Sequence, residues 1–101
     1  MPFVKIADLN ELKEKQKKVV FVNEEEISVY FVDGNVYATT NICPHKGGPL
    51  AEGDLEGDLI TCPLHGWKFN VKTGNNMMIP NSKIKTYNIK LEGNDILAEF
   101  D

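Results

Sequence analysis

Ile27-Ser28-Val29-Tyr30-Phe31-Val32-Asp33-Gly34-Asn35-Val36-Tyr37-Ala38-Thr39 decides the fold class of this 101-residue chain. Two runs of β-branched and aromatic residues, 27–32 and 35–39, flank Asp33-Gly34, a pair suited to the positive φ values of a tight hairpin turn. The same texture recurs on both sides. Residues 18–22 read as a strand before the hairpin, and 59–61, 67–71, 84–91 and 95–100 read as strands after it. Thr73-Gly74 and Gly93-Asn94 supply further turns. Asp8-Leu9-Asn10-Glu11 has the form of a capping box, so a short helix is expected from Asp8 as N-cap to about Lys15. Many short strands punctuated by turn signals predict an all-β, antiparallel sandwich or barrel.

The stretch 41–57 breaks the pattern. It holds Pro44, Gly47, Gly48, Pro49, Gly53 and Gly57 without apolar periodicity, and reads as a loop held by something other than a core. Residues 75–82 read as a second, polar loop. No internal repeat, low-complexity tract or linker divides the chain, so one domain, 1–101, is expected.

Composition narrows the function. The longest apolar runs, 19–22 and 29–32, fall far short of the roughly 20 residues of a membrane helix. The first residues lack the basic and apolar regions of a secretory signal, so a soluble cytoplasmic protein is expected. The net charge is −4 and every basic residue is lysine. Nucleic-acid recognition leans on clustered positive charge and on the arginine fork, and neither is here. A basic protein surface is the better-matched partner. Glu24-Glu25-Glu26 reads as a solvated turn, residues 13–18 as a basic lining of the helix exit, and Lys46 as an incidental surface lysine. Met77-Met78 beside Ile79 has two readings, an exposed patch or a loop folded onto its own side chains.

The scarcest residues carry the chemistry. Two cysteines and two histidines fall into two pairs, Cys43-Pro44-His45 and Cys62-Pro63-Leu64-His65. A serine-protease triad, a zinc hydrolase or a mononuclear iron oxygenase would have to use these histidines and would leave the cysteines unexplained. Two such pairs suggest two loops clasping one metal centre. Pro44 and Pro63 fix φ beside each cysteine, and Gly47, Gly48 and Gly66 permit close backbone approach. A structural zinc site usually groups its cysteines together and its histidines together. Here each loop supplies one of each, which suits a 2Fe-2S cluster with thiolates on one iron and imidazoles on the other. A structural zinc module and a Cys43–Cys62 disulfide are the other readings; the disulfide would leave both histidines idle and suits a cytoplasmic chain poorly.

Cys43-Pro44-His45-Lys46-Gly47-Gly48-Pro49-Leu50 and Cys62-Pro63-Leu64-His65-Gly66-Trp67 resemble the two cluster-binding boxes of Rieske-type ferredoxins. The resemblance runs on through Phe69, Thr73-Gly74 and Pro80 to Tyr87. It implies an antiparallel Rieske-type β-sandwich with a cluster-binding subdomain at about 41–74 and one short helix. It further implies that Cys43 and Cys62 hold the inner iron, that His45 and His65 hold the outer one, and that Pro80 sits in a third, shielding loop. The implied role is a one-electron carrier from a flavoprotein reductase to an oxygenase or similar acceptor, not an enzyme in itself. The nitrite-reductase small subunits, electron-transfer parts of a larger reductase, are the alternative within the same fold. Respiratory relatives carry two extra cysteines, where this chain has Gly48 and Leu64, and hydroxyl donors, where it has Trp67 and Phe69. Those departures imply a potential toward the bottom of the family's range of about −150 to +300 mV. Trp67 reads as packing over the base of the site rather than as an electron conduit.

Overall fold

Residues 25–32 carry apolar side chains at odd and even positions alike, a pattern that a strand satisfies only when both its faces are covered. The computed structural model, which describes residues 3–44, 47–64 and 66–100, covers both. The described strands are β1 (Phe3–Asp8), β2 (Lys17–Val22), β3 (Glu25–Val32), β4 (Asn35–Thr40), β5 (Asp54–Glu56), β6 (Leu59–Thr61), β7 (Lys68–Asn70), β8 (Thr86–Tyr87), β9 (Ile89–Glu92) and β10 (Asp95–Glu99). A helix, α1 (Leu9–Lys15), follows β1, and a 3-10 turn, Leu50–Glu52, precedes β5. They form three antiparallel sheets, ordered β1-β10-β9, β2-β3-β4-β8 and β5-β6-β7. The mostly-β, antiparallel expectation holds.

The central sheet joins two cores. Ile27 and Val29 of β3 face one with Leu12, Ile96 and Phe100, between the central and terminal sheets. Tyr30 and Val32 face the other, with Leu50, Ile60, Phe69 and both cysteines, between the central sheet and β5-β6-β7. The Asp33-Gly34 hairpin is present, with both residues at positive φ (49° and 81°).

Several elements differ from expectation, each for a physical reason. β1 was hidden in the sequence because its partner, β10, lies at the other end of the chain. The single strand expected at 84–91 is two: β8 pairs with β4 in the central sheet, whereas β9 pairs with β10 in the terminal one. The chain changes sheet at Asn88, whose carbonyl accepts the Glu99 N–H at 3.0 Å. Residues 41–57 are not held apart from a core: Leu50 is fully buried and β5 pairs with β6. Glu24-Glu25-Glu26 is not a solvated turn. Asn23 and Glu24 make the turn, while Glu25 and Glu26 are half-buried in β3. Lysines at the helix exit have partners: Lys15 and Lys18 reach Glu11, and Lys17 donates to the Ala51 carbonyl.

The capping box does not form. Asp8 occupies the N-cap position without a side-chain cap bond and instead pairs with Lys5 at 3.0 Å, while Glu11 turns to Lys18 at 2.7 Å. The helix amides are satisfied from the β9–β10 turn: Leu9 N–H donates to the Asn94 carbonyl (2.8 Å) and Asn10 N–H to Asn94 Oδ1 (2.9 Å). Loss of a capping side chain costs about 0.5–2 kcal/mol. Asn94→Ala is therefore expected to destabilise within that range, and Asp8→Ala by less. Urea denaturation of the two variants checks the order, and an equal or reversed order would contradict capping by Asn94.

A second test concerns pH. Tyr87 Oη donates to Glu25 Oε1 at 2.8 Å, and Lys85 Nζ reaches the same oxygen at 3.1 Å. The hydroxyl first, then the ammonium, holds the Glu25 carboxyl below its ordinary 4.5. Burial first, then the carboxylate, pushes Tyr87 above its ordinary 10.0. Stability from Glu25 is present above 4.5 and is lost as pH falls through its lowered folded value. Stability from Tyr87 is complete below 10.0 and is lost as pH rises beyond it. Tyr87→Phe should be less stable at neutral pH and lose less than the parent toward both extremes. Parallel losses in urea titrations at the three conditions would contradict the coupling.

Candidate metal centre

Each cysteine begins a stretch of the form Cys-Pro-x-x-Gly, and the two stretches are closed by matching backbone hydrogen bonds. In the first, Cys43 N–H donates to the Gly48 carbonyl (2.9 Å) and Gly47 N–H returns to the Cys43 carbonyl (2.7 Å). In the second, Cys62 N–H donates to the Trp67 carbonyl (2.8 Å) and Gly66 N–H returns to the Cys62 carbonyl (3.1 Å). The closing glycines share a left-handed backbone, φ 71° at Gly47 and 78° at Gly66. Neither would press a Cβ on anything within 4 Å, so both serve conformation rather than the close approach expected of them.

Gly48 has the opposite role. A Cβ there would lie 2.8 Å from Cys62 Sγ and 3.1 Å from Leu64 Cγ. The first loop thus rests on the second through a position with no room for a side chain. Gly48 and Leu64, which the resemblance aligns with an additional cysteine pair, are neighbours across the loops. Gly53 permits a second approach, since a Cβ would fall 1.7 Å from the Thr61 carbonyl oxygen.

Both cysteines are buried, at 0% and 1% exposure, and belong to the second core. β6 delivers Cys62 at its end, and the bridge between Ile42 and Pro49 closes the loop of Cys43. His45, Lys46 and His65 lie outside the described residues. Phe69 is fully buried beneath the site, and Trp67, half-buried, meets its ring edge-on with centroids 6.4 Å apart, which agrees with a packing role. In the third loop Asn76 Oδ1 accepts the N–H groups of Met78 and Ile79 (2.8 and 3.1 Å). Met77 and Met78 are more than half exposed, so that loop does not fold onto its own side chains.

Two sulfurs brought into one dry core by loops of identical hydrogen bonding match the demands of a soft metal centre. Buried thiolates need a cation to compensate them. The donor set and the tight Gly48–Cys62 approach therefore fit an iron–sulfur group better than an open zinc site. Sequence reasoning located both loops but did not find that Gly48, rather than its neighbour, sets the spacing.

Comparison with known proteins agrees with this geometry. A family model described as the Rieske [2Fe-2S] domain matches residues 2–88. The ferredoxin component of the naphthalene 1,2-dioxygenase/salicylate 5-hydroxylase systems of Ralstonia sp is 38% identical over 98% of this chain and 96% of its own length. The ferredoxin of carbazole 1,9a-dioxygenase from Nocardioides aromaticivorans IC177 superposes with a TM-score of 0.87 at 30% identity, covering 97% of each chain. A chain from the complex of reduced oxygenase and oxidized ferredoxin in carbazole 1,9a-dioxygenase gives 0.85 at 28% identity, covering 95% of this chain and 91% of that one.

The crowding at Gly48 yields a prediction. Gly48→Ala forces a methyl against Cys62 Sγ and the Leu64 side chain. Iron and sulfide retained per chain should fall well below the parent. Full retention on purification would contradict a spacing role for Gly48.

Proposed function

This chain belongs to the Rieske [2Fe-2S] domain family, and we propose that it works as the ferredoxin component of an oxygenase system, carrying single electrons from a flavoprotein reductase to a terminal oxygenase. Its relatives in dioxygenase systems are electron carriers rather than catalysts. The observation that carries the proposal is the pair of identically bonded Cys-Pro-x-x-Gly loops meeting at Gly48. In the proposed arrangement residues 1–101 form one Rieske-type domain, with about 41–74 as its cluster-binding part. Cys43 and Cys62 hold one iron and His45 and His65 the other.

When bound, the 2Fe-2S cluster accepts and returns one electron. The protein's own residues set how readily this happens. Neutral imidazoles in two of the four ligand positions leave the site less negative than four thiolates would, which favours reduction. Phe69 and Trp67 keep the base of the site apolar and offer no hydroxyl, which keeps the potential low within the family. No helix among the described residues is long and apolar enough to cross a membrane, and we place the chain in the cytoplasm.

Purified protein should be red-brown, with visible absorption and equal iron and sulfide; a colourless, zinc-containing protein would contradict the proposal. His65→Ala should lose most of the cluster, and unchanged occupancy and spectra would remove His65 from the ligand set. Reduction by a flavoprotein reductase, followed by reoxidation by a dioxygenase, tests the partners. Co-purification with a larger reductase would favour the nitrite-reductase-type alternative.

A further inference from the structure

Asn41 stands where β4 leaves the central sheet for the first cysteine loop, and it is 1% exposed. Its backbone N–H donates to the Glu26 carbonyl (2.9 Å), and its carbonyl accepts the Leu50 N–H (2.8 Å). Its side chain bridges the same two segments. Oδ1 accepts the Ala51 N–H at 2.6 Å, and Nδ2 donates to Glu26 Oε1 at 2.6 Å. Four bonds from one residue thus tie both ends of the segment that carries Cys43 to strand β3. Lys17 adds a further hold from β2, donating to the Ala51 carbonyl at 2.9 Å.

The chemistry of this clamp is directional. Toward Ala51 the side chain must accept, and toward Glu26 it must donate. Only an amide does both in that space. The carboxylate of Glu26 makes no ion pair among the described residues. Its hydrogen-bond partner is the Asn41 amide, and a bond to a charged acceptor is among the stronger kinds. It therefore selects which way the amide faces.

We infer that Asn41, oriented by Glu26, is the positioning residue of the first ligand loop, and that this pair governs how firmly the loop of Cys43 keeps its metal group. The inference rests on the electron-carrier reading only for the identity of that group. A residue of this kind touches no ligand atom. It limits the excursions by which the loop would open, and partners behind a ligand typically change metal affinity about 10–100-fold.

The test is a polarity swap in the loaded protein. Asn41→Asp sets a carboxylate against Glu26 with no proton donor between them, while its other oxygen still accepts from Ala51. Glu26→Gln keeps an acceptor facing Asn41. Together, the two changes restore a bond of reversed polarity, with Gln donating and Asp accepting. Iron release to a chelator, followed by loss of visible absorption, should be about tenfold faster or more in Asn41→Asp. It should be near the parent rate in Glu26→Gln and return toward it in the double variant. Far-UV circular dichroism of the same samples should stay folded throughout.

A double variant that releases iron as fast as Asn41→Asp overturns the inference, as do release rates that merely follow each variant's unfolding. If Asn41→Asp does not fold, Glu26→Ala, at a half-buried position, removes the acceptor alone and should speed release with the fold intact; unchanged release overturns the inference. A parent protein without iron and sulfide overturns the cluster reading and this inference together. A loaded parent with indifferent variants overturns only the inference.

Discussion

The tight approach of Gly48 to Cys62 is the constraint on which the site depends. Two short loops, each closed by its own backbone, come within van der Waals contact because one carries a residue without a side chain. Buried thiols are ordinarily inert and gain function only where something stabilises the thiolate. Here the loops place both sulfurs in one apolar core, where a bound cation is the available compensation. The rest of the molecule serves to hold these loops at that distance.

That support comes from a strand buried on both faces. Because side chains alternate along β3, Ile27 and Val29 belong to one core while Tyr30 and Val32 belong to the other. The terminal sheet and helix stabilise the first core, and the small β5-β6-β7 sheet and the cysteine loops complete the second. Some of the polar groups that the sheet buries are bonded within it or to the loop it carries. Tyr30 and Thr39 share a buried hydroxyl contact at 3.0 Å, and Asn41 spends its amide on the loop base.

An electron carrier of this type has little chemistry of its own to perform. Its residues exclude water, set charge, and keep the metal group from rearranging. Phe69 and Trp67 exclude water from one side, and the loop clamp opposes rearrangement on another. The exposed Leu64, Met77 and Met78 show that the loops around the site remain apolar at the surface as well.

By itself the sequence determined the strand-rich class, the Asp33-Gly34 hairpin, and the two cysteine loops, because those features are local: alternation, turn chemistry and ligand spacing all lie within a few residues. It also pointed to the family, since Cys43, His45, Cys62 and His65 with their prolines and glycines form a specific pattern. Tertiary structure alone decided what depends on distant partners. The pairing of β1 with β10, the change of sheet at Asn88, the capping of α1 by Asn94, and the bonds of Glu25 to Tyr87 and Glu26 to Asn41 each join residues far apart in the chain. Glu26 illustrates the difference: it matches a local rule for a solvated turn, yet its side chain bonds the Asn41 amide, a partner that the fold brings to it from the end of β4.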